Sequence, residues 1–315
     1  MAASACITVA TIIASLIFLL VPTSYSYPLM IKALSDSSVP LDDVNLLEFS
    51  LNLEFLEAEF FLHGSLGHGL DTFAPNLSMA GPSPIGAKRA NLDSFTRDVI
   101  MQFGWQEVGH LRAIKKRVRG FPRPLLDLRA ETFAQVMNKA FKKTLSPPFD
   151  PYASSLNFLL ASYMIPYVTL NTYVAANQKL ESSSSKQLVA GLLAVISGQD
   201  AVIRALLYKR AIEKVEPYGI SVAEFTDRIS ELRNSLGNGG IKDEGLVVPN
   251  SHGAEGRIRG NVLSGDHNSL GFARWPEEIL RIVYCGGDEH VAGGFFPQGA
   301  NGRIARSHLS YKNYA

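Results

Sequence analysis

The chain has 315 residues, 46% of them hydrophobic and 19% charged, with a formal charge of +1. That length and apolar content support a sizeable core, and a balance of 30 basic against 29 acidic residues leaves no broad cationic field for a nucleic-acid partner. The only cysteines are Cys6 and Cys285, which excludes a disulfide-stapled scaffold.

Ile7 to Val21 is an almost unbroken apolar run, followed by Pro22 and the small residues Thr23 and Ser24. This pattern reads as a secretory signal over residues 1–26, with a short extension over 27–42. Export to the apoplast or cell wall follows, with the vacuole as the alternative and no membrane partner after cleavage. Asn76-Leu77-Ser78 is the sole N-glycosylation acceptor, in a loop rich in proline and glycine.

Helical periodicity begins at Asp43. The spacing predicts a first helix to Leu62, with Leu47, Leu51, Glu54, Ala58 and Phe61 on one face and a stop at Gly64. A second runs from Asp93 to Val118. Its basic end, Lys115, Lys116, Arg117 and Arg119, suits the helix dipole and reads as a solvated terminus. Phe121 to Asp150 is long enough for a crossover and holds a short amphipathic piece over Thr132 to Phe141. The third helix, Ser154 to Lys179, should kink at Pro166, whose ring removes a hydrogen bond. The fourth, Lys186 to Val215, carries Leu188, Leu192, Ile196, Gln199 and Ile203 in register, and Asp200 and Arg204 at the spacing of an ion pair. Residues 43–216 therefore read as an all-α four-helix bundle. Residues 217–315 read as a C-terminal extension with a helix over Val222 to Leu236, a Gly-rich, loop-rich stretch over Gly237 to Gly271, and a short helix at Trp275 to Arg281.

The chemistry concentrates on the second helix. Ile100, Phe103, Glu107, His110 or Leu111, and Ile114 make one stripe, so a carboxylate and an imidazole point toward the core. Desolvated together, they need each other, another partner or a metal ion. An inward Glu-x-x-His is half of the ligand set of a carboxylate-bridged di-metal bundle, which needs a second such motif and two further glutamates.

Leu46-Leu47-Glu48-Phe49-Ser50-Leu51-Asn52-Leu53-Glu54, followed by Gly67-His68-Gly69-Leu70-Asp71, closely resembles the plant desiccation-related proteins that carry a ferritin-like domain. Trp105-Gln106-Glu107-Val108-Gly109-His110, Ile165-Pro166-Tyr167-Val168 and Ser197-Gly198-Gln199-Asp200-Ala201 match the same family. The resemblance, from about Asp43 to Tyr284, implies a secreted ferritin-like bundle associated with dehydration stress. One departure bears on chemistry: Ile196 stands where the family usually has a glutamate, three residues before Gln199.

With no acid between Ser154 and Lys179, the inward set is Glu54, Glu57, Glu107 and His110. The reading this favours is a stress-related protein with a degenerate metal site and no cofactor, and a full ferroxidase centre is not expected. A single divalent ion on Glu54, Glu107 and His110, with Glu57 nearby, stays open. So does a metal-independent enzyme in which Glu54, Glu107, His110, Tyr163 and Tyr167 act as acid and base on a small-molecule metabolite, beside a pocket of Ile196, Gln199 and Asp200. A metal-dependent oxidase or metal store is the third reading. The oligomeric state is left open.

Overall fold

A computed structural model describes residues 39–309. The expected leader and residues 27–38 of the extension lie outside the described residues.

In chain order the principal helices are α1 (Leu41–Leu66), α2 (Ser94–Arg117), α3 (Ala130–Phe141), α4 (Ser155–Ser162), α5 (Pro166–Lys179), α6 (Ser183–Tyr208), α7 (Val222–Gly237), α8 (Pro276–Val283) and α9 (Arg303–His308). The chain is an all-α ferritin-like bundle with additional C-terminal helices. α1 packs against α2 and α5, α5 against α6, and α6 against α2, which closes a four-membered ring in which α4 and α5 share the third place. On the outer side α9 lies against α1, α8 against α5, and α7 against α3 and α8. Covered on both sides, α1 is buried along nearly its whole length, including Glu54, Glu57 and Glu59.

Several boundaries differ from those expected, each for a local reason. Gly64 does not end α1, which runs on until Gly67 adopts a left-handed conformation (φ 83°) and its N–H caps the His63 carbonyl. Gly64 is a packing residue: a Cβ there would lie 2.2 Å from Cζ of Phe158, whose ring stacks on Phe60 with centroids 4.4 Å apart. Proline does more than kink the third helix. It opens a new one, with residues 163–165 in turns between α4 and α5, and the Tyr163 carbonyl freed at the break accepts from Nη1 of Arg233 at 2.7 Å.

The fourth helix stops at Tyr208, because the chain beyond it is drawn into the start of α7: Val222 N–H donates to the Glu213 carbonyl and Ala223 N–H to that of Ala211. Lys214–Val215 and Ile220–Ser221 form a small antiparallel hairpin there. The loop around Asn76 contains two single-turn helices, Leu70–Phe73 and Pro75–Ser78, with Asn76 exposed on the second. Between α7 and α8, residues 238–275 hold two short 3₁₀ turns.

At the start of the bundle, the Asp43 carboxylate accepts from the backbone N–H groups of Glu181 and Ser182 at 2.7 and 3.1 Å. The N-terminal ends of α1 and α6 are thereby locked together, which fixes the helices that carry the site.

Candidate metal centre

Glu54 and Glu57 stand one turn apart on α1, and Glu107 and His110 one turn apart on α2, so the packing of α1 on α2 brings all four to one point. Nδ1 of His110 lies 3.2 Å from Oε2 of Glu54 and 3.2 Å from Oε2 of Glu107. Ligand atoms of Glu54, Glu107 and His110 all fall within 4.8 Å of one another, and all three residues are buried.

The opposite helix pair contributes hydrogen-bond donors rather than anions. The Tyr173 hydroxyl donates to Oε1 of Glu54, and the Thr169 hydroxyl donates to Oε1 of Glu57. Nε2 of Gln199 donates to Oε1 of Glu107 at 2.7 Å and to Oε1 of the exposed Gln106 at 3.0 Å. Thr169 and Tyr173 are one turn apart on the face of α5 that meets α1.

The electrostatics show what such packing costs. Burial pushes Glu107 up to about 8, helped by the neighbouring Glu54 charge. Glu57 is raised well above the carboxylate range by burial and by the charges of Glu107 and Glu54. Burial opposes ionisation of Glu54 as well, yet the His110 charge and the hydrogen bonds from His110 and Tyr173 hold it below its ordinary value. Burial would lower His110, but the two carboxylates outweigh it and raise the imidazole to about 11. Burial and the Glu54 charge keep Tyr173 a phenol, hence a donor. Three buried acids thus face a single cationic side chain.

Buried carboxyl groups forced toward their neutral forms, and Oε2 of Glu57 with no hydrogen-bond partner, fit a cation that would take the place of their protons. Hard carboxylate oxygens with one imidazole nitrogen suit a divalent first-row metal.

The other residues singled out in the sequence lie elsewhere. The Tyr163 hydroxyl bonds to Oγ of Ser230 at 2.8 Å and accepts from Arg204 at 3.0 Å, while that of Tyr167 donates to the Lys242 carbonyl at 3.1 Å. Both belong to a polar network beneath residues 238–275, so the structure does not place them with the carboxylates. Asp200 is not hydrogen-bonded to His110 and makes no close ion pair with Arg204. Burial lifts it to about 6 against the lowering charges of Arg204 and Arg233. The Arg204 guanidinium instead donates to the carbonyls of Glu244, Asn261 and Val262. Ile196 is buried one turn before Gln199. None of the principal cavities among the described residues is lined by Glu54, Glu107, His110 or Ile196.

A ferritin-like domain family matches residues 42–209. A desiccation-related protein, PCC13-62, from Craterostigma plantagineum is 59% identical over 265 residues, covering 84% of this chain and 85% of its own. The chain belongs to the ferritin-like, desiccation-related family of plant proteins. A second family member, the ferritin-like catalase Nec2 of Nesocodon mauritianus, is 55% identical over 267 residues, covering 85% of this chain and 86% of its own. No solved structure matches the chain.

These findings correct the expectation that ferroxidase-type chemistry is improbable. That expectation treated the hydrocarbon at Ile196 as the loss of an indispensable ligand. In this chain the triad is assembled from α1 and α2 alone, as a buried Glu-Glu-His cluster, and a relative of high identity is named a catalase. Glu57 adds a further buried carboxyl group from α1.

Proposed function

We propose that this chain is a metal-dependent enzyme that disproportionates hydrogen peroxide, two molecules giving two of water and one of dioxygen, in a plant facing dehydration. The observation that carries the reading is the buried triad of Glu54, Glu107 and His110, whose ligand atoms converge on one point. The naming of a close relative as a catalase supports the reaction type.

Glu54 and Glu107, through carboxylate oxygens, and His110, through Nδ1, are the groups that would hold the ion. A bound redox metal would supply the electron relay between the two peroxide molecules and polarise the peroxide oxygen. The chain's own residues do the rest. Tyr173, Thr169 and Gln199 fix the orientation of the three carboxylates from across the bundle.

Burial and the charges of Glu107 and Glu54 favour the protonated form of Glu57, and its Oε2 has no other partner. That atom would supply one of the two protons taken up when the O–O bond of one peroxide breaks and take back one of the two released when the second is oxidised, the other proton of each half being exchanged with water, so that protons balance over the cycle. The pair of exposed Gln106 and buried Gln199 links Glu107 by hydrogen bonds to the solvent face of α2. Export through the apolar N-terminal run is part of the proposal.

Oxygen release on an electrode, from protein loaded with manganese or iron, tests the reaction. Glu107→Gln is expected to reduce turnover by about 100-fold or more. Wild-type protein that binds the metal but releases no oxygen above the free ion would refute it.

A further inference from the structure

The basic run at the end of α2 is not one surface. Lys115 turns inward to donate to the Leu77 carbonyl at 2.7 Å and lies over the Phe55 ring. Arg117 donates to the hydroxyls of Ser182 and Ser184. Arg119 goes elsewhere. With Arg303 and Arg306 of α9 it lines a groove of about 550 Å³, and all three are exposed. None of the three has a side-chain hydrogen bond or ion pair among the described residues. The one carboxylate in the lining, Glu48, is engaged through Oε1 with the Gly120 N–H at 3.1 Å. A second hollow, of about 250 Å³, shares Pro122, Asn301 and Arg306 with the first.

This trough is held open by a dedicated buried group. Asn52 lies on α1 two residues before Glu54 and is 2% exposed. Its Nδ2 donates to the Asn301 carbonyl at 2.9 Å, and its Oδ1 accepts from Asn301 N–H at 2.7 Å. Oδ1 of Asn301 in turn accepts from Gly302 N–H at 2.8 Å, immediately before α9 presents its two arginines. Residues 249 apart in sequence are thereby fixed against each other, so the guanidinium groups stand on a preorganised wall.

The lining combines two chemistries. Guanidinium forks match planar two-oxygen anions, whereas the exposed apolar surfaces of Met79 and Pro122 offer nothing to a phosphate chain. A sugar acid presents both complements, a carboxylate at the ring edge and C–H bonds on the ring face. The combined volume lies within the range of ordinary ligand sites. We propose that this trough binds a chain of carboxylated sugars, a uronic-acid oligosaccharide, separately from the metal centre.

Calorimetric titration of the full chain with a short galacturonic-acid oligomer tests this. Saturable binding is expected that weakens with salt, with its methyl ester and inorganic polyphosphate both binding at least about tenfold more weakly. Replacing Arg303 and Arg306 together by alanine should weaken binding by about tenfold or more, as should Arg119→Ala, which serves if the double variant melts below wild type. Arg257→Ala, the same change of charge at an exposed site elsewhere, should leave binding unaltered. Equal binding of the methyl ester, tighter binding of polyphosphate, an equal loss in Arg257→Ala, or no saturable binding would each overturn the proposal.

Discussion

At the scale of single residues, the metal centre is legible where a polar side chain breaks an apolar stripe. Glu107 and His110 could be found that way, and Glu54 and Glu57 follow from the register of α1. Tyr173 is hard to separate from Tyr163 and Tyr167 in the sequence, because Tyr163 precedes the break at Pro166 while Tyr167 and Tyr173 share α5 and differ only in the face they occupy, Tyr167 reaching the Lys242 carbonyl and Tyr173 reaching Glu54. A pair of variants separates the two environments. Tyr173→Phe removes the donor to Glu54 and should lower metal affinity by about tenfold or more. Tyr163→Phe should leave that affinity unchanged while lowering stability by about 1–3 kcal/mol, since buried partners lose a hydrogen bond. Competition titration with a chelator and denaturant unfolding are the two readouts.

Proton linkage at the same residues has a definite sign. In the metal-free protein Glu107 keeps its proton up to about 8 and His110 up to about 11, and both must release it to ligate. Metal affinity should therefore rise with pH, by about tenfold per unit for each proton displaced, most steeply below the Glu107 value. Affinity that is flat between mildly acidic and neutral pH would contradict the assigned protonation states.

At the scale of elements, periodicity located the helices, but the roles of glycine and proline were ambiguous in one dimension. A glycine inside an apolar pattern is read as a stop, whereas Gly64 is small because the Phe158 ring occupies the place of its Cβ. Gly64→Ala should accordingly destabilise by about 1–3 kcal/mol through overpacking, although alanine is the better helix former. A stabilised variant in thermal unfolding would show that the Phe158 ring has room to move. Arg204 was equally unreadable: its spacing from Asp200 suggests a surface pair, but the long connection after α7 folds over it and uses its guanidinium to satisfy loop carbonyls.

At the scale of the molecule, two polar systems are built on one bundle. The α1–α2 pair carries the acids and the imidazole, while α5 and α6 face them with neutral donors. This division explains why a search for matched ligand sets on both pairs underestimated the site. On the outer side three buried arginines tie the later elements down: Arg204 of α6 holds residues 238–275 through the Asn261 carbonyl, Arg233 of α7 holds the turn at Tyr163, and Arg274 holds Asn234 of α7. Arg204→Leu should cost about 3–5 kcal/mol by stranding carbonyls and acids in the interior. It should also open residues 238–275 to limited proteolysis while metal stoichiometry per folded chain is preserved. Loss of metal with no loss of stability would mean that the two systems are not separate.

The most direct test of the account is an anomalous-scattering map from crystals of the protein grown with manganese or iron. A peak is predicted at about 2.0–2.2 Å from carboxylate oxygens of Glu54 and Glu107 and from Nδ1 of His110. A map with no peak there, from crystals whose ion is bound elsewhere or not at all, would contradict the assignment of this cluster as a metal centre.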